Sequence, residues 1–240
     1  MNILLLGYGK MGKLIGELGE QRGHQIAAKI SIDNTQDLDS LDPKSIDVAI
    51  DFSQPESAIS NIKWGLERGI PVISGTTGWL DRWDEIVTSV EENDGTFFYA
   101  SNFSIGVNVL FKVNQYLAKL MNEVSDYSVT VEEIHHTAKL DAPSGTAITI
   151  AEGIIENMGN LDSWILKGDT PALENQLPII SKRIDPAPGT HIISYQSKVD
   201  DLVLSHTAHS REGFVKGAIL VAEWITDKKG VLSMNDFLSF

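Results

Sequence analysis

The sequence predicts an α/β chain, with a parallel-sheet domain first and then a second domain of α+β type built on an open mixed sheet. Three observations carry this. Up to Ala100, short apolar runs alternate with helical stretches. The first apolar run passes directly into Gly7-Tyr8-Gly9-Lys10-Met11-Gly12, a complete G-x-G-x-x-G. Towards the C-terminus, strand-like runs follow one another without regular intervening helices.

The elements follow in order. Ile3–Leu6 is an apolar strand, and Lys10–Arg22 is a helix closed by Gly23. Gln25–Ile32 reads as the second strand and Asp47–Phe52 as the third. Ser57–Arg68 is a helix closed by Gly69, Pro71–Ser74 is the fourth strand, and Gly75-Thr76-Thr77-Gly78 is a turn. Leu80–Asn93 is helical and Thr96–Ala100 is the fifth strand. Strands this apolar imply a parallel sheet covered on both faces. The rhythm then changes. Asn108–Val124 is a long helix, Tyr127–Ile134 alternates like a strand, and Gly145–Met158 is a helix. Pro178–Ile184, His191–Gln196 and Leu202–Ala208 are strand-like, and Gly213–Thr226 is a last helix that the pattern alone assigns to neither domain.

Composition narrows the function. The 240 residues, 42% of them hydrophobic, can fill a large domain or two small ones. The net charge of −14 argues against nucleic acid and anionic membranes as partners, and it obliges any anionic ligand to find a local cluster of donors. The absence of Cys excludes disulfides, thiolate chemistry and Cys-ligated metals. No apolar run approaches the roughly 20 residues of a membrane span. The N-terminus has neither a basic leader nor a small-residue cleavage site. The expectation is a soluble, cytoplasmic protein with no membrane partner.

The Gly-rich turn follows a strand and opens a helix, which is the context of a Rossmann-type dinucleotide site. Gly7 permits the tight turn, Gly9 lets a pyrophosphate approach the backbone, and Gly12 lets helix and strand pack closely. The helix N-terminus adds N–H groups and partial positive charge. An acid some twenty residues on is expected at the adenosine ribose. Asp33 either fills that role or is a solvated turn residue beside Asn34. Lys29 and Ser31 close by would tolerate a 2′-phosphate, so NADH or NADPH is the expected cofactor.

A second constellation lies further on. His135 and His136 end a strand-like run, Lys139 follows, and Ser144-Gly145-Thr146 starts a helix with Ser144 as N-cap. Glu132, Glu133 and Asp141 form no metal-ligand motif with the imidazoles, and Lys139 repels a cation, so no metal is expected. A Lys, two His and a helix N-terminus suit a dicarboxylate instead. Either His135 or Lys139 serves as proton donor.

The run Glu133-Ile134-His135-His136-Thr137-Ala138-Lys139-Leu140-Asp141-Ala142-Pro143-Ser144-Gly145-Thr146-Ala147 closely resembles the signature of the 4-hydroxy-tetrahydrodipicolinate (dihydrodipicolinate) reductase family. The Gly-rich loop, Asp51-Phe52-Ser53, Gly75-Thr76-Thr77-Gly78 and the run Ala100 to Asn108 agree in order. The resemblance implies a nicotinamide domain of residues 1–106 plus 211–240. It implies a substrate and oligomerisation domain of 107–210, through whose sheet a homotetramer forms. Gly75, Thr76, Thr77, Ala100, Ser101, Asn102 and Phe103 match cofactor-contacting positions, beside Gly7, Tyr8, Gly9, Lys10, Met11 and Gly12. His135 matches the proton donor, Lys139 a second donor, and His136, Ser144, Gly145 and Thr146, with Thr77, the substrate seat. The implied reaction is hydride transfer to a cyclic dicarboxylate in diaminopimelate and lysine synthesis.

Two departures stand out. Ser31 aligns where the family often has Glu, which bears on the ribose contact. Gly159–Asp185 is shorter than in many members, and Gln196-Ser197-Lys198 stands where an Arg-Gly-Gly-like turn is usual, which touches the oligomer-forming part. Another two-domain NAD(P)-dependent dehydrogenase would explain the Gly-rich loop but not the His-His-Lys cluster. A catalytically silent nucleotide sensor need not keep the proton donors.

Overall fold

A computed structural model describes residues 1–168 and 171–240. The two residues between them, inside the shortened stretch 159–185, lie outside the described residues. The chain forms two units, Met1–Ser104 with Glu212–Phe240, and Ile105–Arg211. The junctions fall within two residues of those the resemblance implies, 106/107 and 210/211.

The first unit is a six-stranded sheet. In chain order its elements are β1 (Asn2–Leu6), α1 (Lys10–Gln21), β2 (Gln25–Ile30), β3 (Val48–Asp51), α2 (Pro55–Leu66), β4 (Val72–Ser74), α3 (Trp83–Glu92) and β5 (Thr96–Tyr99). Every pairing is parallel. Because successive side chains point to opposite faces, an apolar strand feeds two cores. Ile3 and Leu5 join Ile15 of α1 on one side, while Leu4 and Leu6 join Ile59 and Ile62 of α2 and Ile86 of α3 on the other.

The second unit holds α4 (Ile105–Met121), β6 (Ser128–His135), α5 (Gly145–Ile155), β7 (Ser163–Leu166), β8 (Gln176–Arg183), β9 (Gly189–Gln196) and β10 (Asp201–Ala208). Its sheet runs β10-β9-β6-β8-β7. It is mixed: β6 is antiparallel to β9 and parallel to β8. One face packs on α4 and α5 through Val131, Ile179, Ile193, Tyr195, Leu110, Ile150 and Ile154. The other face is less buried, so along β6 buried residues alternate with half-buried ones after an exposed Ser128.

The chain then returns to the first unit. α6 (Glu212–Ile225) shares the core of Ile3, Leu5 and Ile15 through Val215, Ala218 and Ile219, which settles its place. β11 (Gly230–Leu232) adds an edge strand beside β5, and α7 (Met234–Leu238) follows.

The observed bounds correct the sequence reading in places. β2 stops at Ile30, not Ile32, because Asn34 Oδ1 accepts from the Ser31 N–H at 2.7 Å and turns the chain. The helix read over Leu80–Asn93 begins as a 3-10 turn, Leu80–Arg82, before α3. β7, β11 and α7 carry too few residues for a period to show, and the two strands lie at sheet edges. Among the described residues no helix is long and apolar enough to cross a membrane.

Candidate active site

Two sets of candidate site residues are built, one in each unit. In the first, the loops after β1, β3 and β4 leave the C-terminal edge of the parallel sheet, where such sheets bind ligands. Gly7 has φ of +92°, and a Cβ there would stand 2.2 Å from the Phe52 carbonyl oxygen. Only glycine meets both demands. Gly9 is exposed and faces open space, as close approach of a phosphate requires. Gly12 is buried in the first turn of α1, and Lys10 and Met11 lie beside it. A cavity of about 620 Å³ opens beside Gly7, Tyr8, Gly9, Ser31, Gln54 and Glu56.

No described residue lining that cavity is basic, and Glu56 is acidic. Lys29 lies over the Tyr8 ring, 5.2 Å from its centroid, and reaches Glu20 at 3.6 Å. Asp33 is exposed and does not line the cavity; its N–H donates to Ser31 Oγ at 3.3 Å. The strand end therefore presents Ser31 to the cavity.

Behind these loops sits a residue that the sequence reading saw only as part of a matching segment. Asp51, fully buried, accepts from Ser53 Oγ (2.6 Å), Asn61 Nδ2 (3.0 Å), Ser74 Oγ (2.9 Å) and Thr76 Oγ1 (2.7 Å). Burial pushes its carboxyl up, and the four hydrogen bonds oppose that. Thr76 Oγ1 also accepts from Ser53 N–H at 2.8 Å, so one hydroxyl ties the loop after β3 to the loop after β4. The Thr76 side chain is thus buried against Asp51, whereas Thr77 is exposed. Gly75 abuts Phe52, whose ring packs on Phe103 at 5.6 Å between centroids. Ala100 is buried, Ser101 exposed, and Asn102 Oδ1 accepts from Ser104 N–H at 2.9 Å.

In the second unit, the inner face of the sheet changes character along β6. Val131 pairs with Ile179 and Ile193, an apolar row. Two residues on, Glu133 pairs with Ser181 and His191, and His191 pairs with His206, a polar row. His135 comes next, paired with Arg183. A Cβ on Gly189 would stand 3.1 Å from His135 Nε2, so the absent side chain gives that ring its place.

Glu133 is fully buried, and both its oxygens accept from Ser144 N–H at 3.1 Å. Ser181 Oγ donates at 2.7 Å and Arg183 Nη2 at 3.2 Å. His135 Nδ1 lies 3.3 Å from Glu133 Oε2, an electrostatic approach that misses hydrogen-bond geometry. Burial alone would raise the Glu133 carboxyl, but His135, Ser144 and Ser181 outweigh it and hold the group below the usual carboxylate range. Burial, with His135 beside it, pushes the His191 imidazole down to about 4. His191 is therefore neutral near pH 7. It sits edge-on to His135, ring centroids 5.2 Å apart, with Nε2 3.4 Å from Ser144 Oγ.

Ser144 is the N-cap of α5, its Oγ accepting from Ala147 N–H at 3.2 Å, so Gly145 and Thr146 form the first turn. Lys139 holds both Asp141 oxygens at 2.8 Å. His136 is half-buried just past β6. The segment from His135 to Thr146 thus places the expected residues around the end of β6 and the start of α5. Glu133, His135 and His191 offer three potential ligand atoms within 4.8 Å of one another. Glu133, however, already accepts from three donors, Ser144 N–H, Ser181 Oγ and Arg183 Nη2, and the Arg183 guanidinium supplies its countercharge.

The sequence expectations do not include His191 or Arg183, and they hold Glu133 only as a carboxylate outside any metal-ligand motif and as the first residue of the family signature. The available signal was phase: His191 is spaced by two from buried Ile193 and Tyr195, on the same face.

Comparison with known proteins agrees along the whole chain. A family model described as the N-terminus of dihydrodipicolinate reductase matches residues 1–103, and one described as its C-terminus matches residues 106–238. A 4-hydroxy-tetrahydrodipicolinate reductase from Christiangramia forsetii is 48% identical over 240 residues, covering 100% of this chain and 98% of that one. One from Archaeoglobus fulgidus is 32% identical over 231 residues, covering 93% and 87%. A dihydrodipicolinate reductase from Paenisporosarcina sp., solved with dipicolinate bound, has the same fold, with a TM-score of 0.79 at 22% identity over 99% of both chains. An amine dehydrogenase from Mycobacterium smegmatis shares the architecture more loosely, at a TM-score of 0.59 and 11% identity, covering 98% of this chain and 95% of that one. The chain belongs to the dihydrodipicolinate reductase family.

Proposed function

We propose that this chain reduces 4-hydroxy-tetrahydrodipicolinate, through its dehydrated form, to tetrahydrodipicolinate on the route to diaminopimelate and lysine. The observation that carries the reading is His135, buried at the end of β6 against an ionised Glu133 and beside the N-cap of α5.

When bound, the nicotinamide supplies a hydride to a ring carbon of the substrate. The chain's own residues do the rest. Gly7, Gly9 and the N-terminus of α1 cradle the pyrophosphate. Thr76, fixed by Asp51, sets the loop that carries Gly75 and Thr77. Lys139, His136 and the N-terminus of α5 seat the substrate carboxylates. Lys139 must release Asp141 to do so. His135 delivers the proton that balances the hydride, and the Glu133 carboxylate faces its Nδ1 from 3.3 Å.

Cofactor preference follows from the 620 Å³ cavity. With Ser31 and Glu56 on its wall and no described basic residue there, it accepts both cofactors and favours NADH over the more negative NADPH. The family's reaction belongs in the cytoplasm. The expected homotetramer is supported by β10, an edge strand on which Leu202 and Val203 are 41% and 57% exposed.

The test is oxidation of NADH or NADPH by the purified chain with 4-hydroxy-tetrahydrodipicolinate generated in situ. Turnover that requires the dicarboxylate supports the reading, and cofactor binding without turnover contradicts it.

A further inference from the structure

We propose that Glu133 and Arg183 are a positioning pair that fixes the donor loop, residues 136–146, against the end of β6. The inference rests on the reading that His135 and Lys139 serve the reduction. Neither Glu133 nor Arg183 needs to touch substrate for it to hold.

The loop has little structure of its own. Its one internal backbone bond runs from Lys139 N–H to His136 O at 3.1 Å. Its anchors include the end of β8, Glu133, and His191, whose Nε2 lies 3.4 Å from Ser144 Oγ. Asp185 takes Thr137 N–H at 3.0 Å and Thr137 Oγ1 at 2.6 Å. Arg183 reaches further: Nε donates to the Lys139 carbonyl at 3.2 Å and Nη2 to the Asp141 carbonyl at 2.5 Å. Nη1 turns to the Lys182 carbonyl at 2.9 Å. The same Nη2 binds Glu133 Oε1 at 3.2 Å, and Glu133 in turn holds Ser144 N–H. One ion pair therefore grips the backbone at Lys139, Asp141 and Ser144. It also faces the His135 ring from 3.3 Å.

The chemistry of the two side chains explains the choice. Reaching two carbonyls and a carboxylate at once requires the planar fork of a guanidinium, since an ammonium is a single point of charge. A carboxylate removed from water requires nearly all its lone pairs filled, and Glu133 fills them with donors whose positions matter for catalysis. A buried ion pair is weak evidence of stabilisation by itself. Here the stronger observation is where its bonds end. Two carbonyls and one amide of the donor loop are held; of the other side chains close to Glu133, Ser181 Oγ donates at 2.7 Å and His135 Nδ1 approaches to 3.3 Å.

The test compares the full-length chain with Glu133→Gln, Arg183→Lys and, as control, Ser181→Ala. Measured are thermal midpoint, cofactor Kd, kcat, and hydrogen–deuterium exchange of a peptide spanning 136–147. Glu133→Gln is expected to lower kcat about 100-fold, as misplacement of the order of 1 Å does. Arg183→Lys, which keeps the charge and loses the fork, is expected to lower it about tenfold. In both, cofactor Kd stays at the wild-type value, because the nucleotide loops belong to the other unit. Exchange in 136–147 accelerates while β6 and β9 keep their protection. Ser181→Ala removes one donor to the buried Glu133 but no bond to the loop, so it is expected to lower the thermal midpoint without accelerating exchange in 136–147. A general loss of stability would instead raise exchange across β6 and β9 as well, and would overturn the proposal. So would folded variants with kcat within about threefold of wild type or with unchanged exchange at 136–147. Should Glu133→Gln not fold, Arg183→Lys decides by the same readouts. A wild-type chain without turnover would sink the proposed reaction, and the exchange measurement would still decide the positioning role.

Discussion

Replacing Thr76 with Val keeps the shape of the side chain and removes one hydroxyl. That hydroxyl donates to Asp51 Oδ2 at 2.7 Å and accepts from Ser53 N–H at 2.8 Å. The first bond ends on a buried carboxylate, and such bonds contribute about 1.5–3 kcal/mol. The second leaves an amide without its acceptor. Ser53 is only half-buried, so water recovers part of that loss and about 1 kcal/mol remains. The sum is about 3 kcal/mol, which for a chain of this size lowers the thermal midpoint by roughly 10 °C. The damage is also directional, because the lost hydroxyl is the tie between the loops after β3 and β4. Cofactor Kd, followed by tryptophan fluorescence, is therefore expected to rise about tenfold or more in the folded variant, on the scale of 1.4 kcal/mol per factor of ten. Thr76→Ser keeps both bonds and should return both quantities close to wild type. A Val variant that melts within a few degrees of wild type and binds cofactor equally well would refute the assigned role of the Asp51 network. So would a Ser variant as impaired as Val.

Three further outcomes are expected. Gly189→Ala introduces a Cβ 3.1 Å from His135 Nε2, so steady-state kinetics should show kcat reduced about 10–100-fold with cofactor Kd unchanged. Glu56→Gln removes the acid from the cavity wall, and the KM ratio of NADPH to NADH should fall about fivefold, since a phosphate dianion on the order of 8 Å from a carboxylate in water is repelled by about 1 kcal/mol. The change should shrink as salt is added. His191 is pushed from 6.5 in the unfolded chain to about 4 in the folded one, chiefly by burial, so the unfolded chain takes up the proton first. Its contribution to stability is full above pH 6.5, is lost as pH falls from 6.5 towards 4, and totals about 3 kcal/mol. His191→Gln should flatten that limb in denaturant titrations at stepped pH.

Much of this arrangement is legible in the chain, for identifiable reasons. The strands of the first unit are apolar on both faces because helices cover both, and the Gly-rich turn announces its own geometry through Gly7. The signature from Glu133 to Ala147 concentrates the donor loop and the N-cap of α5 in one stretch, so local reasoning reaches them. What escapes is long-range pairing. Arg183 stands 50 residues from Glu133, and His191 lies across an antiparallel register that no local spacing encodes. Asp51 is visible as a residue, but its four partners come from its own loop, α2, β4 and the loop beyond, and only the fold gathers them. For Asp33 the sequence leaves two readings open, an acid at the ribose or a solvated turn residue beside Asn34. Spacing does not choose between them; in the fold the Asn34 turn ends β2 early, leaving Asp33 exposed and Ser31 on the cavity wall.

We propose that His135 supplies the proton that completes a nicotinamide-dependent reduction of a cyclic dicarboxylate. The most direct measurement is NADH oxidation at saturating 4-hydroxy-tetrahydrodipicolinate, wild type against His135→Gln, with cofactor Kd and thermal midpoint recorded for both. Wild type is expected to turn over rapidly, and the variant to lose about 10²–10⁴ in kcat while keeping cofactor affinity and folding. A folded His135→Gln enzyme that turns over within a few-fold of wild type would contradict it.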